Sequence, residues 1–339
     1  MYYYTINLIN ISNGEIMKAI LCNKWGDPEV LELKEISNPQ PNENEILIKI
    51  KAVAVNYADL VMLKGQYQTK PEFPFGPGLE CAGEIVSLGK NVTQFMINQR
   101  VLAKIPHSGF AEYTLANPEF VYEIPNNMSW EHAASFFVAY VSSYTAIKYQ
   151  GDLKPGQKLL VLGASGGTGL TAVEIGKAIG AQVYAAASSQ AKIDIIENYN
   201  PDYTINYKDK NLKEEIKNLT DNKGVDVVFD PVGGEFFDQA LSSLDWGGKY
   251  LIFGFVGGIP QIPSNRLLVK HRSAIGCSLR FYENHDKEKI HSSVKKLFEW
   301  YDSGLIKPFI SEQFELKDAQ KALNILKSRK ATGRIIISV

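Results

Sequence analysis

Leu160-Val-Leu-Gly163-Ala-Ser-Gly166-Gly167-Thr-Gly169-Leu170 decides the fold of this chain. An apolar run of the buried-strand type leads in, a glycine-rich turn follows, and a helical pattern leads out. This is the context a dinucleotide-binding fingerprint requires. Read as G-x-G-x-x-G, its three key positions are Ala164, Gly166 and Gly169, with alanine at the first. Gly166 lets the backbone approach a pyrophosphate, and Gly169 lets the helix pack closely on the strand. The first N–H groups of that helix have no partner inside it and carry partial positive charge toward the phosphates. The candidate cradle is therefore Gly163, Ala164, Ser165, Gly166, Gly167 and Thr168.

Downstream of the loop, strands and helices alternate. Strand patterns fall at 158–162, 182–187, 203–206, 225–229 and 249–255, with helical patterns at about 168–180, 190–198, 211–219 and 235–244. Such alternation builds a parallel, doubly wound sheet, and it lifts the glycine motif above an isolated match. The second strand ends in Ala187-Ser188-Ser189-Gln190-Ala191-Lys192. An NAD enzyme places Asp or Glu there for the ribose 2′-hydroxyl. Here hydroxyl residues and a lysine stand instead, which suits a 2′-phosphate and points to NADP(H). Taken alone, Lys192 also reads as a solvated surface lysine.

Upstream, short alternating runs at 17–21, 45–55, 82–87 and 100–103 are separated by turn residues such as Pro39, Pro41, Pro74, Pro77 and Gly109, the pattern of antiparallel strands in a β-rich barrel. A helical stretch opens at Ser129, a plausible N-cap. After about residue 273 come a strand at 273–279, a helix at about 286–302 and a helix–strand unit at 318–339, an order that suggests the chain returns to the first domain. The first residues lack a basic n-region, an apolar core and a cleavage site, so 1–16 reads as an extension outside the fold rather than a signal peptide.

Composition bounds the function. The chain has 339 residues, a length for about two domains, with 45% apolar and 22% charged residues and a formal net charge of −1. No whole-chain positive field would draw in nucleic acid or an anionic membrane. No apolar run is long enough to span a bilayer. Three scattered cysteines, Cys22, Cys81 and Cys277, fit free thiols in a reducing, cytoplasmic compartment. The five histidines show no metal-ligand spacing.

With these residues in view, the sequence resembles the zinc-independent NADPH:quinone oxidoreductases of the medium-chain dehydrogenase/reductase superfamily over nearly all of 17–339. The stretches that carry the resemblance are Val55-Asn56-Tyr57-Ala58-Asp59, Pro77-Gly78-Leu79-Glu80-Cys81-Ala82-Gly83, Gly109-Phe-Ala-Glu-Tyr113, the loop Gly163 to Gly169, Asp230-Pro-Val-Gly233-Gly234, and Gly254-Phe255 with Gly257-Gly258. The resemblance implies an α/β fold in two domains. A GroES-like β-barrel catalytic domain would comprise 17–137 with 278–339, and a doubly wound Rossmann NADPH-binding domain 138–277, with a cofactor cleft between them and a homodimer or homotetramer. It also implies site residues. Asn56 matches the asparagine near the nicotinamide and Tyr67 a cleft-lining tyrosine; these two are the catalytic candidates. Ser142 stands where the family has threonine against the nicotinamide. Lys192 and Tyr207, with Ser188 beside them, match the group that holds the 2′-phosphate, and Lys330 sits where an arginine completes that pocket. Val232 and the run Phe253, Gly254 and Phe255 match loops beside the nicotinamide. One departure is Val61, where some members carry another tyrosine that shapes the substrate wall.

Zinc members hold the catalytic metal with Cys, His and Cys or Asp. At those positions this chain has Asn56, Leu79 and, at or near the last, Val138. Leucine and valine cannot ligate zinc and asparagine is a poor ligand, so no metal is expected. Asp59 and Glu80, which flank the metal in zinc members, read as structural hydrogen-bonding residues, and Cys81 as inert packing. Without a Lewis acid, suitable acceptors are those that spread the incoming charge onto an oxygen: quinones first, with 2-alkenals or enoyl compounds on the same scaffold as the alternative. A non-catalytic NADPH-binding protein, structural or RNA-binding, is the third reading. The absence of a basic stripe argues against RNA.

Overall fold

In the computed structural model, which describes residues 15–339, the strand–helix alternation around the glycine loop becomes a six-stranded parallel sheet. Of the expected extension, 1–14 lies outside the described residues, and Ile16 already belongs to the first strand.

In chain order, the first part consists of strands β1 (Ile16–Leu21), β2 (Glu32–Ser37) and β3 (Ile46–Val55), helix α1 (Tyr57–Leu63), strands β4 (Glu80–Leu88), β5 (Arg100–Lys104), β6 (Tyr113–Ala116) and β7 (Val121–Glu123), and helix α2 (Trp130–Ala134). The middle runs α3 (Ser142–Tyr144), β8 (Lys158–Val161), α4 (Gly167–Ile179), β9 (Gln182–Ala187), α5 (Gln190–Glu197), β10 (Tyr203–Asn206), α6 (Leu212–Leu219), β11 (Val225–Asp230), α7 (Phe237–Ser242), β12 (Leu244–Ile252), α8 (Ser264–Val269), β13 (Ser273–Gly276), α9 (Leu279–His285) and α10 (Lys287–Asp302). The last part is β14 (Ile310–Glu315), α11 (Ala319–Lys327) and β15 (Arg334–Ser338).

The chain forms two compact units. One holds the chain up to Val138 together with Pro308–Val339, and the other holds Ala139–Lys307. The expected division put 278–339 with the first unit. In the structure 278–307 stays with the second, because β13 pairs with β12 and α10 buries Ile290, Val294, Leu297 and Trp300, the last ring 5.5 Å from Tyr144.

In the first unit a seven-stranded sheet runs in the order β14-β15-β3-β4-β5-β7, with β6 also on β3, and β1 and β2 form a separate antiparallel pair. Its pairings are antiparallel except β14 with β15, where the returning chain joins the edge. Ile46, Ile48, Ile50, Val53, Ile85, Val101, Phe110 and Ile335 close its core. Strands β2 and β14 carry no regular apolar alternation, and β6 and β7 are short: β2 reads ELKEIS and is mostly solvent-facing, and β7 is three residues long.

In the second unit the parallel sheet runs β10-β9-β8-β11-β12-β13. Leu160, Leu162, Tyr184, Val228, Phe237 and Tyr250 fill one of its faces. The strand order reverses between β8 and β11, and in sheets of this type ligands bind at the strands' carboxyl ends beside such a switch point.

The helical stretch opening at Ser129 differs from the sequence expectation. Ser129 is an N-cap, its Oγ accepting from the His132 N–H at 3.2 Å, but α2 ends at Ala134. The chain then winds as π-helix through Phe137–Val141 and Thr145–Gln150, with α3 between the two. Apolar periodicity does not separate i+4 from i+5 winding, and such widened turns concentrate at functional sites. Among the described residues no helix is long and apolar enough to cross a membrane.

Candidate functional site

In the second unit nearly every singled-out residue lies at the carboxyl end of a parallel strand. Gly163 to Thr168 follow β8. A Cβ on Gly169 would stand 2.1 Å from the Gly163 carbonyl oxygen, so the turn tolerates only glycine there. A Cβ on Gly166 would meet only that same oxygen at 3.4 Å. The protein itself does not demand glycine at 166, so the requirement there comes from what must approach. Gly166 is the N-cap of α4, whose first-turn N–H groups have no partner within the helix.

After β9, Ser188, Lys192 and Tyr207 converge. The Lys192 ammonium lies 3.3 Å from Ser188 Oγ, and the Tyr207 hydroxyl also bonds Ser188. Burial, aided by neighbouring Lys208, lowers the Lys192 pKa, and burial raises that of Tyr207. Among the described residues no carboxylate pairs with Lys192. It is a half-buried cation left open to an anion.

After β11, Asp230 organises the next loop. Its Oδ1 accepts from the Val232 and Gly233 N–H groups at 2.7 and 2.9 Å, and its Oδ2 accepts from the Tyr250 hydroxyl at 2.6 Å. Phe253 and Gly254 donate to the Asp230 carbonyl, and Gly257 to that of Val232, so the loop after β12 is zipped to the loop after β11. Val232 packs against Gly163. The Phe253 ring lies tilted against that of Phe229 at 4.6 Å between centroids, while Phe255 is half exposed. Ser142 is buried on α3.

Asn56, Tyr67 and Lys330 belong to the first unit. Lys330 is exposed, just past α11, and Tyr67 packs partly buried against the barrel core. Asn56 caps α1, and its backbone N–H donates to Asp59 Oδ2 at 2.8 Å. Its amide is committed: Nδ2 donates to Glu80 Oε1 at 3.1 Å and to the Ala54 carbonyl at 3.4 Å, while Oδ1 accepts from Arg334 Nη2 at 3.0 Å. Arg334 also pairs with Glu80 at 2.7 Å, and Glu80 Oε2 accepts from the Val138 N–H at 2.7 Å. Asp59 Oδ1 accepts from the Gly78 N–H at 2.9 Å. Burial pushes both carboxyls up, Asp59 to about 7, against the pull of Arg334 and the backbone donors. Arg334 was not anticipated: an arginine in a strand reads as a solvent-facing residue until its buried partner Glu80 is seen. Cys81 is fully buried, and burial raises its thiol pKa. Leu79 is buried and Val138 packs on the core, and no cluster of three or more His, Cys, Asp or Glu suited to a metal occurs among the described residues.

Residues 42–126 match the alcohol dehydrogenase GroES-like domain, and 167–296 the zinc-binding dehydrogenase domain. The quinone oxidoreductase-like protein 2 homolog of Nematostella vectensis is 35% identical over 95% of this chain and 88% of its own length. The chain belongs to the quinone oxidoreductases of the medium-chain dehydrogenase/reductase superfamily. The family's human quinone oxidoreductase is 31% identical over 95% of this chain and 98% of its own. The crystal structure of Escherichia coli quinone oxidoreductase complexed with NADPH superposes with a TM-score of 0.89 at 29% identity, covering 95% of this chain and all of that one. This family member is thus an oxidoreductase with a GroES-like unit and a Rossmann-type unit.

Proposed function

We propose that this chain is an NADPH-dependent quinone oxidoreductase that works without zinc. The observation that carries the proposal is the cluster of Ser188, Lys192 and Tyr207 at the end of β9, a cationic, hydroxyl-lined site in which, among the described residues, no carboxylate pairs with Lys192. An acid at this point would repel a 2′-phosphate, whereas an ammonium and two hydroxyls bind one. The cradle also fits the cofactor, since Gly166 leaves open the space a Cβ would take.

NADPH, when bound, supplies the hydride. The chain's own residues bind and orient. Gly163 to Thr168 would hold the pyrophosphate, Lys192, Tyr207 and Ser188 would hold the 2′-phosphate with Lys330 as a further candidate, and Ser142, Val232 and Phe253 to Phe255 would define the nicotinamide environment. Positioning of this kind supplies much of a hydride-transfer rate. Asn56, held rigid by Glu80 and Arg334, is assigned to the nicotinamide end, and Tyr67 to delivering a proton to the reduced acceptor's oxygen. Tyr67→Phe is expected to lower by about 100-fold the rate of the proton-transfer step, and a single-turnover rate of acceptor reduction unchanged across the pH range refutes the role.

Leu79 and Val138, which cannot ligate zinc, support the zinc-independent reading. A quinone suits a site without a Lewis acid because its oxygen takes up the charge. The working assembly we propose is a homodimer or homotetramer in the cytoplasm. In support, β13 forms the sheet edge, and Trp246, Leu268, Val269 and Phe281 are exposed in this unit.

The test is oxidation of NADPH and NADH at 340 nm with 1,4-benzoquinone, 9,10-phenanthrenequinone and a 2-alkenal, with and without a zinc chelator. Chelator-insensitive quinone turnover that prefers NADPH supports the proposal. Turnover of the alkenal alone moves the substrate to the enoyl class, and chelator-sensitive alcohol oxidation overturns the zinc-free reading.

A further inference from the structure

Two helices of the second unit are joined by a buried polar ladder. On α4, Thr171 and Glu174 are three residues apart and share a face. On the segment spanning the first π-helix and α3, Tyr140 and Ser143 are also three apart. The Tyr140 hydroxyl donates to Glu174 Oε2 at 2.5 Å, and Ser143 Oγ lies 3.0 Å from Thr171 Oγ1. The Thr171 hydroxyl donates to the Thr168 carbonyl at 2.8 Å, so its proton is already used and Ser143 must be the donor of that rung. The other Glu174 oxygen accepts from the Lys307 N–H at 2.6 Å. Tyr140 and Ser143 are 0% exposed, Thr171 2% and Glu174 7%.

An apolar contact between helices would fix their register through shape alone. Directional hydrogen bonds in a dry interface fix both rotation and register, because a slip leaves buried donors unpaired at a cost of about 1–3 kcal/mol each. The ladder joins the two ends of the proposed cofactor site. Thr168 belongs to the phosphate cradle, and Ser142 is the next residue to Ser143.

We infer that Tyr140, Ser143, Thr171 and Glu174 are positioning residues that set Ser142, and with it the nicotinamide, relative to the phosphate cradle. This rests on the NADPH reading above. The rungs touch no substrate and act only through Ser142 and Thr168.

The experiment compares wild type with Ser143→Ala, Tyr140→Phe, their double variant, Glu174→Leu and Glu174→Gln. The readouts are kcat with benzoquinone at saturating NADPH, the fluorescence emission of bound NADPH, and the Kd of 2′,5′-ADP, which carries the 2′-phosphate and the adenosine-side 5′-phosphate but not the nicotinamide half. The double variant is expected to lose about tenfold in kcat and to shift the emission, with 2′,5′-ADP affinity within about twofold. Glu174→Gln still accepts from Lys307 N–H and donates to Tyr140 Oη, so it keeps near wild-type kcat where Glu174→Leu does not. If Glu174→Leu does not fold, the two single variants carry the test. An unchanged kcat and emission in the double variant overturns the inference, as does equal weakening of NADPH and 2′,5′-ADP. A wild type that binds no NADPH overturns the functional reading and the ladder's role together; a wild type that binds and turns over while the variants match it overturns the ladder alone.

Discussion

Two polar clusters of this molecule are built on opposite plans. In the barrel unit, Asn56, Asp59, Glu80 and Arg334 are at most 6% exposed, and apart from Arg334 Nε, which is buried without a partner, their polar groups bond one another or the backbone. In the nucleotide unit, Ser188, Lys192 and Tyr207 are half buried and leave an ammonium without a carboxylate. The first cluster is occupied with holding itself together, so removing one member leaves the others buried and unpaired. The second keeps an unanswered charge, which costs stability unless a ligand answers it. A self-satisfied cluster is therefore read through stability, and an unsatisfied one through binding.

Breaking the self-satisfied cluster gives the largest effect. Arg334→Met strands the Glu80 carboxylate in the barrel and is expected to destabilise the protein by about 3–5 kcal/mol in urea unfolding. Adding Glu80→Gln should restore part of that loss, and a single variant as stable as wild type would erase the contrast. Lys192→Glu is expected to weaken NADPH by about 100-fold with little change for NADH, and to move unfolding by no more than about 0.5 kcal/mol. In the adjoining cradle, Gly166→Ala should fold normally yet bind NADPH poorly, while Gly169→Ala, with its clash at 2.1 Å, should lose stability by about 1–3 kcal/mol.

The last effect is a pH slope. Burial pushes the Glu174 carboxyl up to about 8 from 4.5, against the hydrogen bonds from Tyr140 and Lys307, with the Tyr199 phenol also nearby. Between those two values the native state binds more protons than the unfolded chain, so stability contributed by this group falls as pH rises from about 4.5 to about 8. Glu174→Gln should flatten that part of the stability–pH curve. An identical slope in both proteins would show that the carboxyl titrates normally.

The same contrast governs how much was legible in the sequence. The nucleotide unit is written locally: a glycine loop, a strand end without an acid, and regular alternation point to the sheet and place Ser188 and Lys192 at one strand end, whereas Tyr207 enters only through the family resemblance. The barrel cluster and the ladder are not, because their partners are remote. Arg334 meets Asn56 across 278 positions and Glu80 across 254, and Glu174 meets Lys307 across 133. No local pattern marks such pairs. The edge strands β2 and β14 escaped notice because their solvent-facing residues carry no periodic apolar signal, and the π-helical winding at 137–150 because apolar spacing does not resolve it. The late return to the barrel at Pro308 is set by packing of α10 rather than by any turn signal at 278.

The most direct test of the account is calorimetric titration of NADPH and NADH into wild type and Lys192→Ala. Wild type is predicted to bind NADPH about 10- to 100-fold more tightly than NADH, the size of a charge-assisted phosphate contact, and Lys192→Ala to lose most of that preference while binding NADH unchanged. Equal affinity for the two coenzymes in wild type, or a preference that survives Lys192→Ala, would contradict it.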